Sequence, residues 1–353
     1  MKKWNLLALV FILSACFCLV GIGAAYSGGT MTDLGTLPGG GSSEASGINT
    51  KGQIVGWSYT TSGYKHAFLY SGGKMIDLGT LPGGLYSYAT GINDNGQIVG
   101  YSDTASGEEH AFLYSYPAGT WKDLGTLDGD RSRATGINKS GHIVGWVRKA
   151  SGREHAFLYI GSTMTDLGTL GGTNSYATAI NNNGQIVGYS NTAVGYMHAF
   201  LYTYPAGTWK DLGNLPGTGV GLDSFADGIN DQGQIVGTGS TPSGLSHAFL
   251  YSGGTMKDLG TLGKAPSCAY GINYDGKIVG RSQTVSNERH AFLYSGGKMT
   301  DLAQPGWTYN IAYAINSGGK IVGVSSTPSG PNHAFLYTPP SGCLPAILLL
   351  LLN

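Results

Sequence analysis

The sequence predicts an all-β fold, a seven-bladed propeller of four-stranded blades, and three observations point to it. Four short motifs each occur seven times in fixed order, at spacings near 44 residues. Glycine makes up 60 of 353 residues, and at that density it would cost about 1 kcal/mol at each helix position it occupied. The repeated body shows no apolar spacing of helical period over a window of roughly 11 residues.

The unit is read most easily in its second copy. Ser87-Tyr88-Ala89-Thr90-Gly91-Ile92-Asn93 is the first, innermost strand, and Gln97-Ile98-Val99-Gly100-Tyr101 is the second. Between them, Asp94-Asn95-Gly96 is the kind of tight turn that Asn and Gly form at little cost. His110-Ala111-Phe112-Leu113-Tyr114 is a third strand, rich in aromatic and aliphatic residues. After a Gly/Pro loop, Thr120-Trp121-Lys122-Asp123-Leu124 is the fourth. Four short strands per unit match one blade, and seven units match a closed ring. Phase adds a prediction about closure. The body opens on a fourth-strand motif, Met31–Leu34, and stops after a third-strand motif, His333–Tyr337. The N-terminal strand should therefore complete the last blade and leave no unpaired edge.

The domain reading follows. Residues 1–27 read as an export signal, with Lys2 and Lys3 ahead of the apolar stretch Leu6–Val20 and small residues from Gly21 to Ser27. Leu13-Ser14-Ala15-Cys16 resembles a bacterial lipobox, so simple secretion, a lipoprotein anchored at Cys16 and a retained membrane anchor all stand as readings. Each places the repeats outside the cytoplasm, in the extracellular space or at the cell surface. Residues 28–338 form the propeller. Residues 339–353 are a Pro/Leu tail, either frayed or a degenerate sorting tail; its seven-residue apolar run is far short of the roughly 20 needed to span a bilayer. No transmembrane segment is expected in the mature body, which should be a monomer. Cys268 and Cys343 are the cysteines of the body, and no structural bridge is expected from them.

Lys and Arg number 20 against 20 Asp and Glu, and charged residues are 11% of the chain. That balance excludes a basic nucleic-acid binder and a highly charged disordered tail. Hydrophobic residues at 41% supply a core.

The His-Ala-Phe-Leu-Tyr repeat resembles the bacterial and archaeal extracellular HAF repeat family over residues 31–337. More loosely, the glycine after Ile-Val, the tyrosine ending the third strand, and Trp121 or Trp209 in the fourth are similar to kelch blades. The resemblance implies a propeller fold and export. It implies no reaction.

The seven repeated histidines (His66, His110, His155, His198, His247, His290, His333) invite a metal reading that geometry rejects. Equivalent positions in neighbouring blades stand about 10 Å apart, whereas ligands of one zinc ion approach to about 2.0–2.1 Å. A structural role is expected instead, each His pairing with a fourth-strand aspartate of its own blade (Asp77, Asp123, Asp166, Asp211, Asp258, Asp301, and Asp33 for the last). Such a pair, if it bonds, would be charge-assisted and costly to break from one side. The Asn-x-x-Gly turns lack the carboxylates of a calcium loop. No phosphate loop, zinc spacing, nucleophile elbow or cofactor motif is present.

Function, if carried by loops, belongs on the irregular face that bears the loops after the second and fourth strands. The residue after Ile-Val-Gly is Trp57, Tyr101, Trp146 and Tyr189 in the first four blades and non-aromatic in the last three, so the ring is chemically lopsided. These four, with Tyr64, Tyr86, Tyr196, Arg131 and Trp307 from the variable loops, are the candidate binding residues. Packing between blades is the alternative role for the four strand aromatics. The expected function is a non-catalytic secreted or cell-surface propeller that binds a glycan or a surface protein, without cofactor or metal. The alternatives are a polysaccharide-active enzyme, hydrolase or lyase, using acids such as Asp103, Glu108, Glu109, Asp128, Asp130 and Glu154, and a structural envelope protein.

Overall fold

The computed structural model describes residues 28–217, 222–304, 307–326 and 330–340. The export signal with Cys16 and the leucine-rich end with Cys343 lie outside them.

Twenty-eight strands form seven separate four-stranded antiparallel sheets. Blade 1 comprises Ser43–Ile48, Ile54–Tyr59, Lys65–Ser71 and Lys74–Gly79. Blades 2 to 6 begin at Ser87, Arg131, Gly171, Ser224 and Lys264. Blade 7 takes Asn310–Ile315, Ile321–Ser326 and Asn332–Thr338 from the end of the repeats and Thr30–Asp33 from the beginning. In that closing pair Thr30 faces Thr338 and Asp33 faces Phe335. The ring is sealed as its phase predicts.

The repeated residues explain the blade. Ile, Val and Phe of the Ile-Val-Gly and His-Ala-Phe strands are fully buried in every copy, the seven phenylalanines being the largest such side chains. They pack face to face between neighbouring blades, as Val55, Leu69, Ala89, Ile98 and Phe112 do between blades 1 and 2. Each buried phenylalanine contributes roughly 1.5–3 kcal/mol. The glycine after Ile-Val sits opposite a bulge in the inner strand, where the chain shifts register between Ala89 and Gly91. A Cβ on Gly100 would stand 1.9 Å from the Tyr88 carbonyl oxygen, and the same collision recurs in the other blades. Only glycine fits there.

Three sets of polar bonds join blade to blade. In blades 1 to 6 a serine of the inner strand accepts from the alanine N–H of the preceding blade, as Ser87 Oγ does from Ala67 at 2.7 Å and, at the seam, Ser43 Oγ does from Ala334 at 2.9 Å; in blade 7 Asn310 takes its place and accepts from Ala291. Trp121 and Trp209 donate their indole N–H to Leu78 and Leu167 of the preceding blades. The third set was not legible in the sequence. Each turn asparagine donates its side-chain amide to the main-chain carbonyl of the next asparagine, from Asn49 to Asn93 (3.2 Å) and onward through Asn138, Asn181, Asn230, Asn273 and Asn316. Asn316 donates back to Asn49 at 3.0 Å, closing a seven-membered circle of buried amides.

All seven repeated histidines bond through Nδ1 to the aspartate of their own blade at 2.7–3.1 Å, His333 reaching Asp33 across the seam. The Asp also accepts from the backbone N–H two residues on, as Asp77 does from Gly79. These pairs are not in the interior. The His side chains keep 10–25% and the Asp side chains 26–51% of their surface exposed, so each contributes at the level of a surface ion pair, about 0.2–1 kcal/mol. The pairing is as the sequence suggests, and its exposure makes it less costly to break than a buried pair. His290 differs from the rest, because Nδ1 meets Asp301 and Nε2 meets the Trp307 carbonyl. Two acceptors on one ring call for an imidazolium, and the Asp301 hydrogen bond raises its pKa accordingly.

Candidate functional site

In blades 1, 2 and 5 the inner strands alternate fully buried and partly exposed residues, and the positions of the partly exposed set face the central axis in layers around the ring. Beneath the variable face the first layer is, in blade order, Glu44, Tyr88, Arg133, Tyr176, Phe225, Cys268 and Ile311. The second is Ser46, Thr90, Thr135, Thr178, Asp227, Tyr270 and Tyr313. At the opposite end the Ile–Asn segments line a shallow cup of about 230 Å³.

The strand aromatics pair with this first layer. Tyr88 stacks on Tyr101 at 4.8 Å between ring centroids and lies 6.3 Å from Trp57; Tyr176 stacks on Tyr189 at 4.9 Å and lies 5.9 Å from Trp146. Phe225 continues the belt 5.1 Å from Tyr189. Two cations are set into it. Lys65 Nζ stands 3.8 Å from the Trp57 centroid, and the Arg133 guanidinium lies between Tyr101 (4.3 Å) and Trp146 (5.3 Å). The belt from blade 1 to blade 5 thus uses many of its ring faces on itself, which is the inter-blade packing alternative in large part. Burial raises the Tyr101 hydroxyl to about 12 and also pushes Tyr88, Tyr176 and Tyr189 up, so all four remain neutral donors.

The open part of the belt is a cleft of about 360 Å³ lined by Tyr86, Tyr88, Tyr101, Asp103, Glu109 and Arg131. It brings together three of the candidate residues, and Tyr64 adjoins it edge-to-face with Tyr86 at 5.1 Å. Tyr86 is 40% exposed. Asp103 Oδ1 accepts from the Leu85 and Tyr86 backbone N–H groups and holds that loop. Two other candidates lie elsewhere. Tyr196 is equally exposed but sits on an outer loop without a ring partner among the described residues, and Trp307 lies beside His290 between blades 6 and 7.

Several of the acids considered for catalysis are engaged by side-chain partners. Glu109 meets Arg133 at 2.7 Å and Arg131 at 3.3 Å, Asp130 is held by Arg148, and Glu154 accepts from the Tyr176 hydroxyl. The Arg148 hydrogen bond keeps Asp130 below the usual carboxylate range, opposite to what a general acid requires. Among the described residues no three His, Cys, Asp or Glu side chains converge to hold a metal ion.

Sequence reading missed Asp227. In blades 2 to 4 its position is a threonine whose hydroxyl donates to two carbonyls, as Thr178 does to Val187 and Ala226. The corresponding carbonyls for Asp227 are those of Val236 and Ala269. An ionised carboxylate has no proton to give them, and no described residue hydrogen-bonds to it. Burial raises its pKa to about 7. A carboxyl raised in the folded state favours folding fully below its unfolded pKa near 3.8, and that contribution is lost as pH rises towards 7. Asp227→Thr is therefore expected to stabilise the protein at pH 8 by about 1–2 kcal/mol, a reduced figure because the side chain stays partly open to the axis. The gain should shrink towards pH 4, as measured by urea unfolding at both values. A readable signal existed, since Asp227 is the one carboxylate at a position that is otherwise Ser, Thr or Tyr.

A closed seven-bladed β-propeller with one irregular, partly aromatic mouth is the class these features define. No family model and no curated sequence matches the chain. Among solved structures it is similar to an oligogalacturonate lyase in complex with manganese (TM-score 0.62, 10% identity, 90% of this chain and 95% of that one). It is also similar to a puromycin-hydrolyzing peptidase of Mycobacterium tuberculosis (TM-score 0.57, 10% identity, 82% and 50%) and to the extracellular domain of BT4673 from B. thetaiotaomicron (TM-score 0.53, 15% identity, 88% and 40%). The chain spans half or less of the last two. At these identities the likeness shows the fold alone. The converging ligands that manganese would need do not occur among the described residues.

Proposed function

We propose that the chain is an exported, non-catalytic propeller of the HAF-repeat type, acting outside the cytoplasm and binding a glycan through its variable face. The observation that carries this reading is the blade 2 cleft, where Tyr86 and Tyr101 offer aromatic surface beside the polar groups of Asp103, Glu109 and Arg131. Sugars present C–H faces and hydroxyl edges, and amphipathic aromatics with fixed polar neighbours suit both. Neutralisation of Glu109 and Asp130 by arginines favours binding over hydrolysis. The test is a glycan array followed by titration of the best ligand. Tyr86→Ala should weaken binding at least tenfold, while Tyr196→Ala, equally exposed but remote from the cleft, leaves it unchanged. Equal affinity of both variants and wild type would remove the cleft as the site.

A further inference from the structure

A second cleft on the same face has the opposite chemistry. About 300 Å³ in volume, it lies between blades 6 and 7 and is lined by Arg281, Gln283, Asn287, Arg289 and Tyr309. Gln283 and Arg289 are directly paired across the second and third strands of blade 6, and Arg281 is two residues along from Gln283. Arg281 and Arg289 are thus diagonal neighbours on one face, within reach of each other's field. Three cations elsewhere on this side of the ring are neutralised, Arg133 by Glu109, Arg148 by Asp130 and Lys149 by Asp166. Arg281 and Arg289 have no carboxylate partner among the described residues. Arg281 faces the Tyr270 hydroxyl and the Cys268 thiol, and its buried Nε has no hydrogen-bond partner. Arg289 lies over the Tyr309 ring at 5.6 Å. A third cation, Lys264, holds Asn287 at 3.1 Å. Glu288, the residue preceding Arg289, is turned to Ser286 at 2.8 Å and to His290. Two guanidiniums without a carboxylate partner in one cleft form a half-finished ion-pair network. A carboxylate, which arginine grips through paired N–H groups, completes it.

We propose that this cleft is a subsite for the carboxylate of a uronic-acid residue in an acidic oligosaccharide, with Arg281 and Arg289 as its anchors. Tyr309 offers a ring face to the sugar, and Gln283 and Asn287 offer amides to its hydroxyls. This deepens the glycan reading and rests on it.

Titration calorimetry with a galacturonate or mannuronate hexamer, its methyl-esterified form and a neutral glucan hexamer tests the assignment. The hexauronate is expected to bind at least tenfold more tightly than its ester. Arg289→Ala, at an exposed position that does not threaten folding, should abolish that difference while leaving neutral-glycan affinity unchanged. Arg281→Lys keeps the charge but loses the paired donors and should remove part of it. Equal binding of acid and ester, or an advantage that survives Arg289→Ala, would overturn the proposal, as would a sulfated neutral-sugar oligomer or a polyglutamate peptide binding more tightly than the hexauronate. If neutral glycans bind in a Tyr86-dependent way without any uronate advantage, the subsite falls and the glycan reading stands. If no glycan of either charge binds, both fall.

Discussion

Deleting residues 28–34 is expected to lower the melting temperature by roughly 10 °C and to make the protein self-associate. The deletion removes the outer strand of blade 7, with its ladder to Phe335–Thr338, and the side chains of Met31 and Leu34, which pack against Tyr337 and against Leu37 and Phe68 respectively. Apolar burial of this size is worth a few kcal/mol, and each kcal/mol moves the midpoint of a large domain by about 2–4 °C. What remains is a third strand with one free edge, a template for pairing with another molecule. The inner circle survives the cut, because Asn316 still reaches Asn49 and Ala334 still reaches Ser43. The truncated protein should therefore keep its far-ultraviolet β signature while losing its sharp transition. A synthetic peptide of residues 28–36 added in trans should restore both the midpoint and the monomer. Unchanged melting and sedimentation after the deletion would mean that the seam contributes nothing.

Gly100→Ala should be more damaging still, although it adds one methyl group. The new Cβ would fall 1.9 Å from the Tyr88 carbonyl oxygen and 2.9 Å from Ala89 Cα, both main-chain atoms in the strand bordering the central axis. No side chain can swing aside, so strand and bulge must separate. A cost above about 4 kcal/mol follows, in the range where point substitutions abolish folding. Gly107→Ala provides the contrast. That glycine has φ +83 with nothing near its would-be Cβ, so only backbone strain opposes the substitution, at about 1–3 kcal/mol. Guanidinium unfolding of the two variants should separate them clearly, with Gly100→Ala recovered mostly as insoluble protein. A soluble Gly100→Ala protein with a near-native midpoint would show that the bulge can move.

The architecture was legible because it is written seven times. A period near 44, a turn signal in each copy and the phase of the two ends fixed blade number, strand order and closure without any knowledge of contacts. What escaped the sequence was everything that depends on how one blade faces the next. Asn49 and Asn93 read as turn residues, and nothing in a local pattern shows that the amide of one reaches the carbonyl of the other. Tyr88 was hidden for a related reason. Its stacking on Tyr101 follows from a register set by the bulge after Ala89, which cannot be counted from strand lengths. The pairing of Glu109 with Arg133 joins neighbouring blades through side chains long enough to choose several partners. Asp227, Arg281 and Arg289 escaped sequence reading because each occupies a position where the copies differ, so no repeat signal marks it.

The asparagine circle bears on how the two ends of the molecule meet charged solutes. Its seven amides all donate in the same rotational sense, so the components of their dipoles in the plane of the ring cancel around the loop. Unlike a helix terminus, where aligned peptide dipoles leave a fractional charge, the circuit has no pole at any one blade. Full charges enter this end through the turn residues beside the circle, Asp94, Lys139 and Asp231, which differ from blade to blade.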